Sequence, residues 1–174
     1  MKNIFLLYLF FLCALNVSAQ DMSKFYISTP RADGILYFVM PQRMPYEKGQ
    51  SNPKKELSYD FTFVDEDSVT MLATITSNNA FVPLSIRIQS DSSVVECPVS
   101  LLFCDPVKSH WITRIRCTMS HNEWNQVVQS TDAPSFDFLN DKSHIVYCYS
   151  DKYWHKLREK YIKLLTTVSL NKDK

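Results

Sequence analysis

Leu57-Ser58-Tyr59-Asp60-Phe61-Thr62-Phe63-Val64 and Val69-Thr70-Met71-Leu72-Ala73-Thr74-Ile75-Thr76 flank the acidic stretch Asp65-Glu66-Asp67-Ser68. In the first run Leu57, Tyr59, Phe61 and Phe63 alternate with polar residues. In the second, Val69, Met71, Ala73 and Ile75 do the same. Period-two alternation is the mark of a strand with one buried and one wet face. The acidic stretch reads as a hairpin loop. Folding about it sets Phe61 opposite Met71 and Leu57 opposite Ile75, so both apolar sets share a face. A slip of one residue would put one set in water.

The same logic gives a second hairpin. Val95, Cys97, Val99, Leu101 and Phe103 share one face, and Trp111, Ile115, Cys117 and Met119 share another. With Asp105 to His110 as the connection, aligning these faces places Phe103 across from Trp111, Val99 across from Ile115 and Cys97 across from Cys117. Pro98 then turns its missing N–H to an edge or a bulge. Further strands are expected at 24–29, 35–40, 84–90, 135–139 and 143–149. The run Ile35 to Met40 is apolar on both faces, which suits a covered strand or a contact surface. Residues 41–56, with Pro41, Pro45, Gly49 and Pro53, read as a long loop, and such loops often carry function.

Two helices interrupt the strands. Ser120 followed by Glu123 makes a capping box ahead of Trp124, Val127 and Val128. Ser150 or Asp151 caps a C-terminal helix over 150–170, where Tyr153, Trp154, Leu157, Tyr161, Leu164, Leu165 and Val168 recur at helical spacing.

Composition narrows the function classes. The 174 residues are 45% hydrophobic and 21% charged, with a formal net charge of +1. That excludes disorder and argues against nucleic acid as a partner, since such a binder carries a clear basic excess. Only two glycines occur, Gly34 and Gly49. A phosphate-binding loop, a dinucleotide fingerprint and a nucleophile elbow each need several glycines close together.

The N-terminus reads as an address. Lys2 precedes the apolar run Ile4 to Leu15, and Val17-Ser18-Ala19 carries small residues where a signal peptidase cuts. The run is shorter than the ~20 apolar residues a membrane-spanning helix needs. Leu12 before Cys13 argues against a lipoprotein signal. Residues 1–19 are therefore expected to be a signal peptide, and 20–174 one β-rich domain, exported to the periplasm, the cell surface or the medium.

Candidate chemistry is sparse. Cys97, Cys104, Cys117 and Cys148 remain after the signal, and four cysteines allow three disulfide connectivities. The register above favours a Cys97–Cys117 disulfide, because directly opposed residues meet the short Cβ separation it needs. The competing reading makes all four small buried apolar groups. Zinc would draw on His110, Cys117, His121, His144 and Cys148, but no close Cys pair of structural-zinc type occurs. A Cys–His nucleophile would pair Cys104 with His110 or His144, and no family signature surrounds them. No catalytic residue, cofactor or metal site is assigned. Trp111, Trp124 and Trp154 each fall on an apolar face, so core packing is their expected role. Tyr46 in the long loop is the aromatic best placed for partner contact.

From Asp151 onward seven basic residues face three acidic ones. A basic face beside an apolar stripe could lie on an anionic membrane. The plainer reading packs the stripe on the sheet and leaves the charges in water.

The short signal ending Ser18-Ala19-Gln20, the run Gly34-Ile35-Leu36-Tyr37-Phe38, the stretch from Leu57 to Met71 and the closing Tyr/Trp-rich helix together resemble small uncharacterised exported proteins of Gram-negative bacteria. The resemblance implies a β-rich secreted fold and brings no activity and no functional residues with it. The expected architecture is mainly β: one antiparallel, sandwich-like domain of about seven or eight strands, with a short helix and a C-terminal amphipathic helix packed on it. The expected function is a non-enzymatic protein–protein interaction or envelope-associated binding module. The alternatives are a carbohydrate-binding module and a small hydrolase using a Cys or His.

Overall fold

The structure, a computed structural model, describes residues 22–32, 34–44, 57–64 and 68–171. Residues 1–19 and Tyr46 lie outside the described residues, as does the acidic loop 65–67. A 3-10 turn at Met22–Lys24 leads into nine strands and two helices. The strands are β1 (Tyr26–Arg31), β2 (Gly34–Met44), β3 (Leu57–Val64), β4 (Ser68–Ser77), β5 (Ser85–Gln89), β6 (Val94–Val107), β7 (His110–Ser120), β8 (Ser135–Leu139) and β9 (His144–Cys148). The helices are α1 (His121–Gln129) and α2 (Asp151–Asn171).

The expected mainly β, antiparallel chain with a C-terminal helix packed on it is what the structure holds. The strands number nine and lie in one open sheet, ordered β1-β2-β3-β4-β7-β6-β5-β8-β9. The β5–β8–β9 end curls back over the rest, so that Phe136 of β8 stacks on Tyr59 of β3 with ring centroids 6.2 Å apart, and α1 and α2 close the remainder of that sandwich-like core. The β3–β4 hairpin has the register read from the sequence, with Phe61 opposite Met71 and Ser58 opposite Thr74.

The inward-pointing residues of every strand line one core. Tyr37, Phe61, Met71, Ile115, Ile86, Phe136 and Tyr147 come from seven strands, and all are buried. From the helix layer Trp124, Val127, Val128, Trp154, Leu157, Tyr161, Leu164, Leu165 and Val168 close over them. Trp124 lies 4.4 Å from Phe61 and 5.1 Å from Tyr161 between ring centroids, the latter edge to face. Such pairs add about 0.5–1.5 kcal/mol beyond the area they bury. The apolar stripe of the last helix is thus consumed by the core and is not free to enter a membrane.

Both helix starts have a local cause. At α1 the Glu123 amide donates to Ser120 Oγ at 3.2 Å and the Ser120 amide donates to Glu123 Oε2 at 2.7 Å, completing the capping box. At α2 the Ser150 carbonyl accepts the Tyr153 and Trp154 amides. Arg158 of α2 then clamps the end of α1, donating to Val128 O at 2.8 Å and Gln129 O at 3.0 Å. The Ser130 hydroxyl, just past α1, donates to Asp91 in the β5–β6 turn.

Two expectations need correction. Residues 41–44, read as the start of a loop, continue β2. Pro41 sits where the β2–β3 register shifts between Val39 and Gln42, and a bulge is where a strand tolerates proline. The second hairpin is also shifted. Val107 pairs with His110, so the connection is the two-residue turn Lys108-Ser109, with Lys108 at φ 56°. An irregularity between Leu101 and Phe103 moves the register again. Val99 therefore faces Cys117 and Pro106 faces Trp111, while Cys97 lies across from Ile86 on β5.

Candidate functional site

β6 changes partners midway. Ser85 to Gln89 of β5 pair with Pro98 to Val94, and beyond that β7 takes over from Val99. The Val99 amide donates to Leu84 O at 3.0 Å, which points it away from β7. Backbone alternation then turns Pro98 towards β7. Its missing N–H falls where the β6–β7 ladder stops, so the proline itself ends that ladder.

The same alternation aims the Leu101 amide away from β7. Among the described residues, no strand pairs with that side of Ser100 to Val107. This half of β6 is an unpaired edge inside the sheet order. Its side chains are also unusual for an edge: Leu101 is 48% exposed, Leu102 41%, Phe103 42% and Val107 43%. Leu101 faces the helix side, opposite Ile115, whereas Phe103 stands opposite Arg114 on the helix-free face. The helices do not reach this far, so the arm is apolar on both faces. Natural edges are normally blunted by charge, proline or covering elements. Here the exposed Asp105, Pro106 and the irregularity between Leu101 and Phe103 are the devices present, and none of them covers Leu101, Leu102 or Phe103.

Beside Phe103 is a charged cluster. Arg114 Nη1 donates to Thr74 Oγ1 at 2.7 Å, and Nη2 lies 3.3 Å from Asp60 Oδ2. The Asp60 side chain is only 8% exposed although it belongs to the helix-free face. Burial lifts its carboxyl above the usual carboxylate range, and the Arg114 guanidinium opposes that lift. Sequence offered no sign of this pair, because β3 and β7 meet it only through β4.

The cysteines do not gather. All four thiols are free in the structure. Cys97 and Cys117 share the core face but are not directly opposed. Burial, reinforced by Glu123 and Glu96, pushes the Cys97 thiol up to about 11. Burial, with Cys97 beside it, pushes Cys117 up to about 12. Both are therefore protonated, weakly nucleophilic thiols. Cys104 lies 3.2 Å from the Thr113 hydroxyl, which donates to Phe81 O at 2.8 Å. His110 is at the hairpin turn, three strand positions beyond Thr113, the residue opposite Cys104. His144 and Cys148 occupy opposite ends of β9, and His144 Nδ1 lies 3.2 Å from Asp137. Among the described residues no group of three or more His, Cys, Asp or Glu comes together in a metal-holding arrangement.

Trp124 and Trp154 are fully buried, and Trp111 is half-buried on β7. A separate cleft of about 510 Å³ runs between the helices, lined by His121, Asn122, Asn125 and Gln129 of α1 and by Ile162, Leu165, Thr166 and Ser169 of α2. Its walls offer amides, hydroxyls and the His121 imidazole, with no carboxylate. No helix among the described residues is long and apolar enough to cross a membrane.

Comparison with family models, with curated proteins and with solved structures finds no match for this chain. The reading of the site therefore rests on its own geometry. The sequence reading had placed Leu101 and Phe103 together on one apolar face, and so missed the arm. The signal was present in Leu101-Leu102-Phe103, three consecutive apolar residues in a strand. Whatever the register, such a run must place one of them on the solvent face.

Proposed function

We propose that the protein is a non-enzymatic exported binding module that captures an extended segment of a partner protein by strand addition along the second half of β6. The observation that carries this reading is the unpaired arm from Leu101 to Val107, with Leu101, Leu102, Phe103 and Val107 exposed on it. In strand addition, main-chain hydrogen bonds supply affinity and alternating side chains supply specificity. Burying the exposed halves of Leu101, Leu102, Phe103 and Val107 contributes about 1 kcal/mol each at ~25 cal/mol/Å². Association itself costs about 4–15 kcal/mol, so the backbone ladder must provide the rest.

The test uses residues 20–174, which contain every described strand, helix and core residue. Leu101→Pro removes an outward N–H and spares the bonds to β7. Capture from envelope extracts is compared for the wild-type chain and this variant, with thermal melts run alongside. One partner held at near-equal stoichiometry by the wild type, and reduced at least tenfold by Leu101→Pro at unchanged Tm, is the expected result. Equal capture by both chains sinks the assignment. So does an eluate holding only glycan, which would move the reading to a carbohydrate-binding module.

A further inference from the structure

The outer face of α2 carries a second feature, unrelated to the β6 arm. At 3.6 residues per turn, Lys152, Lys156, Lys160 and Lys163 fall within an arc of about 80°. The apolar stripe on the opposite side is buried against the sheet, from Trp154 to Val168. The helix therefore lies flat on the protein and presents the lysines outward in a row about 16 Å long at 1.5 Å per residue. Lys152, Lys156 and Lys163 are exposed. Lys160 leans over the Phe25 ring, with Nζ 5.5 Å from its centroid, and so is held at the foot of the row. Glu159 is the one acid interleaved among them. The whole chain has a net charge of only +1, so this row is a local asymmetry and not the trace of a generally basic protein.

Both ends of the row carry exposed apolar groups. Leu170 projects at the same helical angle as Lys152, five turns on, and is 67% exposed. Tyr153 flanks the other end and is 43% exposed. A line of cations bracketed by a leucine and a tyrosine matches the two levels of a bilayer surface: phosphates for the ammonium groups and the interfacial region for the apolar tips. An acidic polymer would satisfy the lysines and leave Leu170 without a role.

We infer that the Lys152–Lys156–Lys160–Lys163 row of α2 docks the protein on a surface of anionic phospholipid. Docking is peripheral and electrostatic, because the apolar stripe that would insert deeply is held in the core. It turns the helix layer to the bilayer and leaves the helix-free face and the β6 arm towards the aqueous side. Each lysine brought near an anionic leaflet strengthens partition about fivefold. The effect decays within a Debye length of about 8 Å at physiological salt.

The experiment is co-sedimentation of residues 20–174 with sucrose-loaded vesicles. These are made of phosphatidylcholine alone or with about one third phosphatidylglycerol. Binding to the anionic vesicles only is expected, reversed by ~0.5 M salt, which shortens the screening length to a few ångströms. Lys156→Gln with Lys163→Gln is expected to weaken partition about 25-fold, the product of two fivefold losses. Leu170→Ser is expected to weaken it further, whereas Leu101→Pro leaves it unchanged, which separates this surface from the β6 arm. No pelleting with anionic vesicles at low salt overturns the inference. Equal pelleting with both vesicle types, or a double variant equal to wild type, does the same. Polyglutamate binding as tight as vesicle binding and indifferent to Leu170→Ser would assign the row to an acidic macromolecule instead.

Discussion

Asp60 is the residue on which burial and charge pull against each other. Burial disfavours its ionised form, and Arg114 at 3.3 Å favours it. The balance leaves the native carboxyl above the ordinary value of 3.8. The native state then binds more protons than the unfolded chain in the window just above that value, so this group's contribution to stability falls as pH rises through it. Asp60→Asn removes the titration while keeping the shape. The Tm of the variant minus that of the wild type is expected to increase between about pH 4 and about pH 7. Melts followed by circular dichroism across that range check it. A difference that shrinks instead would mean that Arg114 outweighs burial. None of this was legible from the strand pattern, which marked Asp60 only as a wet-face residue. The alternation fixes a face; it does not say which neighbours shade a residue on that face.

Elements were legible where local chemistry decided them. The β3–β4 register follows from two clean alternations around one loop, and α1 starts where Ser120 and Glu123 satisfy each other. The β6–β7 register was not legible, for two reasons. The turn is only Lys108-Ser109, with neither glycine nor asparagine to mark it, and Lys108 adopts a positive φ without the usual residue type. The irregularity at Leu102 then shifts every pair beyond it. Strand β2 ran on past Pro41 for a similar reason, since a bulge hides a proline that would otherwise end a strand. The contact between α1 and α2 lay outside any sequence pattern. Its main polar component is Arg158, which donates to two carbonyls at the end of α1. Arg158→Met is expected to cost about 1–3 kcal/mol, because it strands carbonyls that a charged donor had satisfied. Lys156→Met on the exposed face is expected to stay within about 0.5 kcal/mol. Urea denaturation of both variants tests the comparison, and equal values would remove Arg158 from the account.

At the scale of the molecule, one core serves the whole sheet. β6 pairs with β5 through its first half and with β7 through its second, so the two groups of strands share a continuous backbone. The helices lie over both, and Trp124 and Trp154 are buried between the layers. Tryptophan fluorescence and far-ultraviolet circular dichroism are therefore expected to report one coincident unfolding transition. Separated midpoints would show that the β5–β8–β9 end unfolds by itself. The sequence pointed to a sandwich because alternating strands ask for an apolar layer opposite them, and the β5–β8–β9 strands supply part of that layer, with Phe136 stacked on Tyr59. The apolar stripes of the two helices supply the rest of it, which strand alternation alone did not announce.

The strand order also sets a timetable. Six of the eight joins in the sheet link strands that follow one another along the chain, and two do not: β4 with β7, and β5 with β8. Hairpins close in microseconds, whereas pairings between distant segments wait on the entropy of a large loop. Both distant meetings are therefore slow, and that of β4 with β7 ends at the pair Ser68 with Ser120. Ser120 is also the cap of α1. The residue that completes the distant ladder is the one that starts the helix, so a chain emerging N-terminus first holds β1 to β4 with an unsatisfied border until Ser120 arrives.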